Sequence, residues 1–226
     1  MLLEISPKHR IIQKSISINI CALESKCTSG VIHNFKDTSM KKILLASSIV
    51  ALAFSTSFAA PYMIDASHSA VNFQVTHMMI SDVDGAFNRF SGEIDFDEKT
   101  KNLKALKGEV LISSIDTKND SRDKHLNAPD FFDSAKFPKA TLEMKSLKGK
   151  KLVADVTIRD ITKQIVFDAS IKGPVINPMS KENKLTIAIK LEGKLNRKDF
   201  GIGMDTKDAL VSDEILLRIQ LEAHSQ

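Results

Sequence analysis

Cysteine is nearly absent from this 226-residue chain. Its two cysteines, Cys21 and Cys27, both lie close to the N-terminus. Everything after residue 59 therefore lacks a thiol, which excludes a disulfide framework and a cysteine-ligated metal from that part of the chain. A domain of roughly 170 residues is large enough to be stable on one hydrophobic core without disulfides.

Motifs for catalysis and for metal binding are also missing. The sequence contains no nucleophile elbow, no glycine-rich phosphate loop and no His-x-x-x-His zinc pattern. The best case for an enzyme is Ser121, Asp123 and His125, but groups so close in sequence seldom converge on one reacting atom. His68 and His77 are an odd number of positions apart and would point to opposite faces of one strand. We therefore predict no catalytic residues, no metal site and no cofactor.

No apolar run is long enough to span a membrane. Residues 40–60 read MKKILLASSIVALAFSTSFAA, with a positive start at Lys41 and Lys42, an apolar core over 43–54 and a small-x-small site over 57–59. This layout is typical of a secretory signal peptide. The apolar core is shorter than the roughly 20 residues of a membrane span. We predict export to the periplasm, or secretion, and no integral membrane segment in the mature chain.

The position of this signal predicts how the chain is divided. Signal peptides are N-terminal, so we interpret Met40 as the true start. Residues 1–39 are then an over-long start outside the fold, residues 40–59 the signal peptide, and residues 60–226 the folded domain.

Excess charge is missing from the predicted mature domain. Residues 1–59 carry seven Lys or Arg and three Asp or Glu, which leaves 25 basic and 25 acidic residues in the remainder. A balanced domain has no field that would attract nucleic acid or an anionic membrane. We predict no nucleic-acid partner.

What the mature domain does have is alternation of apolar and polar residues with a period of two. Each such run predicts a strand with one buried and one wet face. The clearest runs cover residues 71–75, 94–96, 142–144, 152–158, 165–171, 185–191 and 215–221. With weaker runs at 62–65 and 106–115, the pattern predicts about eight or nine strands.

Turn signals separate these runs. The predicted turns are at Asp84-Gly85, Lys148-Gly149-Lys150 and Arg159-Asp160, with a longer loop from Gly173-Pro174 through residues 177–183. Short connections predict antiparallel neighbours.

One segment, residues 116–138, breaks the alternation. Asn127 is placed to cap a helix with Pro129 in its first turn, and we predict two short helices in this insertion. The fold class is therefore all-β and antiparallel with a short helical insertion. Periodicity leaves open whether the strands form a sandwich or a closed barrel, and whether the interior is filled or hollow.

The order of short motifs from residue 62 to residue 223 is distinctive. The chain resembles the YceI-like family, whose members are also described as polyisoprenoid-binding or lipid-binding proteins. The motifs that carry the resemblance are Tyr62-x-x-Asp65-x-x-His68-Ser69, Val71, Phe73, His77, Gly85, Phe87, Phe90, Gly92, Ile115-Asp116-Thr117, Arg122-Asp123-x-His125-Leu126, Phe131-Phe132, Phe137-Pro138 and Arg197-x-x-Phe200-Gly201.

The resemblance implies a lipocalin-like antiparallel β-barrel of about eight strands with a deep apolar tunnel. It further implies that the tunnel carries a long isoprenoid or a fatty-acid-like amphiphile, in a soluble periplasmic homodimer. The chain departs from the family at residues 154–160, where a glycine is replaced by Asp160. Because Asp tolerates left-handed conformations better than most residues, we expect this hairpin to survive.

The candidate ligand-binding residues follow from the apolar stripes and from the polar group near the insertion. The expected apolar lining is Phe73, Val75, Phe87, Phe90, Phe131, Phe132, Phe137, Ile158, Phe167 and Ile189. Arg122 and His125 are candidates for a lipid headgroup, and the alternative is a structural network with Asp116 and Asp123. The predicted function is a periplasmic lipid carrier. The alternatives are a β-sandwich that acts through protein contacts and a small hydrolase or isomerase on the same barrel.

Overall fold

A computed structural model describes residues 61–226. The predicted over-long start, the predicted signal peptide and both cysteines lie outside this range. The described part contains three 3₁₀ turns, Ala66–His68, Ile112–Ser114 and Arg197–Phe200. Its strands and helix are β1 (Tyr62–Ile64), β2 (Ala70–His77), β3 (Ser81–Phe87), β4 (Phe90–Asp97), β5 (Asn102–Leu111), β6 (Ile115–Asp116), α1 (Asp120–Leu126), β7 (Lys139–Lys148), β8 (Lys151–Ile158), β9 (Ile161–Ile176), β10 (Leu185–Asn196) and β11 (Val211–Ser225).

Eight of the strands close into an antiparallel barrel. Their order is β1-β4-β5-β7-β8-β9-β10-β11, and pairing of β1 with β11 closes the circle. Strand β1 pairs only with the C-terminal end of β11, and the rest of β11, residues 211–220, pairs with β2. Strands β3 and β6 follow outward from β2. The closed barrel confirms the fold class and rules out the sandwich that periodicity alone had left open.

Period-two alternation explains why these segments are strands. Along β8 and β10 every second side chain is buried in the barrel, while the intervening residues are largely polar and more exposed. Gly193 interrupts the inner stripe of β10 because the ring of Phe167 occupies its place; a Cβ at Gly193 would lie 2.5 Å from Phe167 Cδ1.

Two predicted turns are confirmed. Gly149 joins β7 to β8 with a φ of 59°. Arg159 and Asp160 join β8 to β9 with φ values of 53° and 60°, as a two-residue hairpin of type I′ requires. The departure from the family pattern at Asp160 thus leaves the hairpin intact.

Two other turn predictions are wrong. Asp84-Gly85 lies inside β3, and Gly85 is needed there because the ring of Phe73 on β2 packs against it; a Cβ would lie 2.2 Å from Phe73 Cζ. Gly173-Pro174 belongs to β9, so the loop to β10 begins only at Asn177. A glycine that makes room for an aromatic ring gives the same local signal as a turn glycine.

The insertion also differs from the prediction. Residues 116–138 contain one α-helix, α1, instead of two. Its cap is Asn119, whose side-chain oxygen accepts from the Arg122 amide at 3.0 Å. Asn127 ends this helix, and its amide donates to the Asp123 carbonyl. The rest of the insertion, including Pro129, is built of turns.

Helices able to cross a membrane are not found in residues 61–226, since none there is both long enough and apolar enough.

Candidate functional site

The barrel interior is filled in one part and hollow in another. Inward side chains of β8, β9 and β10, such as Leu152, Phe167 and Ile189, are completely buried. Phe73 and Val75 lie on β2, which continues the sheet from β11 beyond the closed barrel, and they are only half-buried. They are half-buried because they line a cavity.

This cavity has a volume of about 510 Å³. That volume falls within the range of small-molecule sites in proteins, which is roughly 300–1,000 Å³. Its walls come mainly from the inner faces of β2, β3, β5, β7 and β11, together with α1 and the turns that follow it. The surface that faces the cavity is almost wholly apolar, although polar side chains such as Glu109, Arg122 and His125 also line it, so the cavity is suited to an apolar ligand.

Nine of the twelve predicted ligand-binding residues line this cavity. They are Phe73, Val75, Phe87, Phe90, Arg122, His125, Phe131, Phe132 and Ile158. The structure therefore gathers residues that are up to 85 positions apart in sequence around one space, and contact with a ligand stays a prediction for each of them.

The other three predicted residues lie elsewhere. Phe167 and Ile189 belong to the filled part of the barrel, with no exposed surface. Phe137 lies beneath two cations, with Lys136 Nζ 4.9 Å and Arg159 Cζ 5.7 Å from its ring centroid. Phe167 and Ile189 face inward and Phe137 packs in the insertion, but none of the three lines the cavity.

Three aromatic rings form a continuous wall along one side of the cavity. The ring centroids of Phe73 and Phe87 are 5.7 Å apart. Phe87 and Phe132 are 6.1 Å apart and meet edge to face. These are ordinary contact geometries for aromatic pairs, and they connect β2, β3 and the insertion into one apolar surface.

The insertion is fixed over the barrel by hydrogen bonds to the loop after Phe200. The Arg159 guanidinium donates to the carbonyl oxygens of Phe131, at 2.9 Å, and of Gly201. The Gly203 amide donates to the Asp130 carbonyl at 2.9 Å. These contacts hold Phe131 at the cavity wall. Arg159 was missed from the sequence, because nothing in its local pattern signals a contact with residues so far away.

The polar candidates Arg122 and His125 both have partners within the protein. Arg122 donates to the Thr117 hydroxyl at 2.7 Å and to the Thr117 carbonyl at 2.6 Å. His125 Nε2 lies 2.7 Å from the Asp130 carboxylate, and its ring meets Phe131 edge to face at 4.8 Å. Both residues still border the cavity, but these contacts favour the structural-network alternative.

The structural-network alternative paired Arg122 with Asp116 and Asp123, whereas in the structure Arg122 pairs with Thr117. The Asp123 carboxylate accepts from the Thr117 amide at 2.9 Å and from its hydroxyl at 2.5 Å. Asp116 accepts instead from the Lys118 ammonium at 2.8 Å and from the Asn88 amide at 3.2 Å. The Lys118 hydrogen bonds lower the pKa of Asp116 to about 2. Thr117 is therefore the centre of the network.

Arg197 is a cavity residue that sequence reasoning named only as part of a motif. It is buried, and its guanidinium donates to the carbonyls of Ile202, Thr206 and Val211 and to the Asp213 carboxylate at 2.6 Å. Its charge is thus fully engaged in holding the loop before β11. A buried, paired arginine of this kind shapes the cavity without presenting charge to it.

The candidate catalytic group does not assemble. Asp123 is engaged by Thr117 and His125 by Asp130. Neither forms a nucleophile–base pair with Ser121, which lies on the same helix.

Three side chains away from the cavity are close enough to share a cation. The ligating atoms of Asp65, His68 and Glu222 lie within 4.8 Å of one another. The Ser67 hydroxyl and His68 donate to Asp65 and lower its pKa, while Asp65 in turn raises the pKa of His68. A separate bond fastens the 3₁₀ turn before β2 against β11, because the Asp65 amide donates to the Glu222 carbonyl at 2.8 Å.

The arrangement of barrel, insertion and motifs can be compared with known proteins. The sequence profile of the YceI-like domain family matches residues 62–223. This chain belongs to the YceI-like family. The match runs from the first residue of β1 to residue 223 in β11, and it confirms the family resemblance seen in the sequence.

Relatives of this YceI-like chain agree over most of their length. UPF0312 protein SAB2563 of Staphylococcus aureus (strain bovine RF122 / ET3-1) is 36% identical over 144 residues, which are 64% of this chain and 83% of that protein. A crystal structure of a Campylobacter jejuni YceI protein is 36% identical, has a TM-score of 0.60, and covers 67% of this chain and 90% of its own.

A more distant solved structure shares the fold. It is a polyisoprenoid-binding domain from Saccharophagus degradans, described as implicated in plant cell wall breakdown. It is 15% identical, has a TM-score of 0.53, and covers 73% of this chain and 98% of its own. At this identity the comparison speaks for the barrel architecture alone.

Proposed function

We propose that this YceI-like protein is a carrier that holds a long apolar lipid inside its barrel and releases it unchanged. The observation that carries the proposal is the hollow part of the barrel interior, about 510 Å³ with an almost wholly apolar lining. A packed barrel of eight strands needs no such space. The ligand class is an isoprenoid, an isoprenoid quinone or a fatty-acid-like amphiphile.

Burial of hydrocarbon supplies the binding energy in this proposal. Each methylene removed from water contributes roughly 0.8 kcal/mol, so about ten buried methylenes contribute about 8 kcal/mol before the cost of ordering the chain is subtracted. A ligand bound this way needs few polar contacts. The engagement of Arg122, His125 and Arg197 with protein partners is consistent with that.

One further point supports the carrier over an enzyme, and another supports export. The polar side chains at the cavity form no nucleophile–base pair in residues 61–226. Export rests on the signal peptide predicted for residues 40–59. N-terminal sequencing of the accumulated protein is expected to begin near Ala60.

Two phenylalanines of the insertion provide a matched test of the binding site. Phe131 lines the cavity and Phe137 does not, although both are half-buried. Phe131→Ala is expected to weaken binding of a fluorescent polyprenol analogue at least about tenfold, because roughly 1.5–3 kcal/mol of apolar contact is lost. Phe137→Ala is expected to leave the affinity unchanged. Equal effects of the two substitutions would contradict the assignment of the cavity as the site.

The carrier and the enzyme differ in the effect of His125→Ala. A carrier loses only some affinity, because His125 touches Asp130 and Phe131 at the edge of the cavity. If this variant bound the lipid as the parent does but stopped the formation of a product, the protein would be an enzyme.

A further inference from the structure

The turn between β2 and β3 exposes three large apolar side chains in a row. Met78, Met79 and Ile80, the hairpin tip, are 51%, 74% and 84% exposed. The loop before β11 lies beside it, because the Met78 amide donates to the Leu210 carbonyl at 2.9 Å. Leu210 is itself 49% exposed. Contiguous apolar side chains on a surface mark an interaction site more often than isolated ones do.

The backbone of the hairpin tip is unusual for its sequence. Met78 and Met79 have φ values of 51° and 61°, and the Ile80 amide closes the turn on the His77 carbonyl at 3.2 Å. Positive φ at two central residues favours Asn-Gly, and it is uncommon for a side chain such as Met. The chain therefore keeps apolar side chains at a place where polar ones would stabilise the hairpin more. Local violations of this kind concentrate at functional sites.

The hairpin tip adjoins the cavity. His77 and Val83, which flank it in sequence, line the cavity, and so do Leu210 and Val211 from the neighbouring loop. Residues that line the cavity therefore lie within three positions of the tip on both strands of the hairpin, and also in the loop beside it.

The charges around the hairpin tip are mainly negative. Asp82 and Asp84 follow it on β3, and the neighbouring loop carries Asp205 and Asp208 against one lysine, Lys207. Such a rim is repelled by an anionic surface. It is compatible with a surface of zwitterionic headgroups, whose ammonium groups complement the carboxylates.

We propose that the hairpin tip inserts into the interface of a zwitterionic phospholipid bilayer and brings the cavity against it, so that a lipid moves between bilayer and cavity without entering water. This inference rests on the proposed carrier function, since it is the apolar ligand that makes contact with a bilayer necessary. The partner that the hairpin tip binds is therefore the bilayer surface.

The first test measures flotation of the protein with vesicles of phosphatidylcholine and phosphatidylethanolamine, using the chain expressed in full and purified in the form that accumulates. The variant Met79→Asp with Ile80→Asp is expected to reduce the vesicle-bound fraction at least about tenfold, because two inserted apolar side chains become charged. Its matched control is Met179→Asp, since Met179 is 92% exposed in the β9–β10 loop. The control is expected to float like the parent.

A second variant avoids added charge and loss of folding. Met78→Asn with Met79→Gly gives the turn its favoured residues, so the protein is expected to unfold at a higher temperature. Its vesicle binding is expected to fall, because two exposed methionines are gone. Parent-like flotation of this variant, or parent-like flotation of the double Asp variant, overturns the proposal.

Transfer of a fluorescent polyprenol analogue separates docking from ligand binding. The double Asp variant is expected to take the probe from vesicles at least about tenfold more slowly, yet to bind it from detergent micelles with unchanged affinity. A parent protein that binds the probe in micelles but does not float overturns docking and leaves the carrier function standing. A parent that floats but never binds the probe overturns the carrier function instead.

Two further outcomes also decide against the bilayer. If the double Asp variant converts a dimer to a monomer while flotation is unchanged, the patch is an interface between two copies of the chain. If flotation requires phosphatidylglycerol, the acidic rim does not face the membrane, and the proposal fails.

Discussion

At the scale of single residues, glycines and aromatic rings determine which parts of the barrel are filled. Gly193 on β10 is paired directly with Phe167 on β9, and the ring lies where a Cβ would be. Gly108 on β5 has open space instead, with its nearest neighbour, Ser91 O, 3.9 Å from a built Cβ. The first glycine is required by packing, and the second borders the cavity.

These two glycines make a matched pair for a stability measurement. Gly193→Ala is expected to lower the free energy of unfolding by about 1–3 kcal/mol, because the added methyl overpacks a rigid part of the core. Gly108→Ala is expected to be neutral or slightly stabilising, since the methyl has room and the unfolded chain loses freedom. Urea unfolding followed by circular dichroism measures both. A neutral Gly193→Ala would mean that Phe167 is not packed as described.

Three inward-facing residues show which part of the site a sequence pattern predicts. Alternation identified Phe73, Phe167 and Ile189 equally well as inward-facing, and all three do face inward. Only the first lines the cavity, because the other two lie where neighbouring strands bring large side chains together. Period-two spacing determines which face of a strand is buried, whereas the filling of the space beyond that face depends on pairing across the barrel.

At the scale of elements, the shortest strand of the barrel closes it. Strand β1 has three residues, and Tyr62 pairs with both Ser225 on β11 and Ile94 on β4. The Tyr62 ring is buried against Phe96, with centroids 5.7 Å apart, and its hydroxyl donates to Glu98 at 3.1 Å. Tyr62 therefore anchors the strand that closes the barrel.

Titration of that tyrosine tests the closure. Tyr62 is the only tyrosine in the chain, and burial raises its pKa from 10.0 to about 12. The tyrosinate absorbance of the folded protein is expected to stay low up to pH 11, whereas that of the urea-unfolded chain rises near pH 10. The pKa of Tyr62 is higher in the folded than in the unfolded protein. Its contribution to the free energy of unfolding is therefore fully present below pH 10 and is lost as the pH rises towards 12. A folded protein that titrates near pH 10 would have an open barrel at β1.

Elements with strong alternation were predictable, and those decided by long-range contacts were not. The strands from β7 to β11 follow the sequence pattern closely. The turn predicted at Asp84-Gly85 failed because Phe73 needs the space above Gly85. The helix predicted to start at Asn127 is absent because Asn127 ends α1 instead. The N-cap of α1 is Asn119, whose side-chain oxygen accepts from the Arg122 amide.

At the scale of the whole molecule, the cavity and the hairpin tip share the same two strands, β2 and β3. The sheet leaves the closed barrel along β2 and β3, and this same extension carries the aromatic wall of the cavity and the exposed Met78, Met79 and Ile80. Sequence periodicity alone left barrel and sandwich open, and it left the filling of the interior open as well. The family resemblance predicted the barrel correctly because the order of motifs along a chain reflects its topology. Alternation shows only which face of each strand is buried.

Native mass spectrometry of the protein purified from a periplasmic extract, followed by organic extraction of any bound mass, tests whether the protein carries a lipid. We predict one lipid of a few hundred daltons for each chain, on the order of what a site of this size holds. We also predict loss of that mass in Phe73→Asp, which places a charge in the cavity wall. A clean apo mass that stays apo after addition of polyprenol or a fatty amide would contradict it.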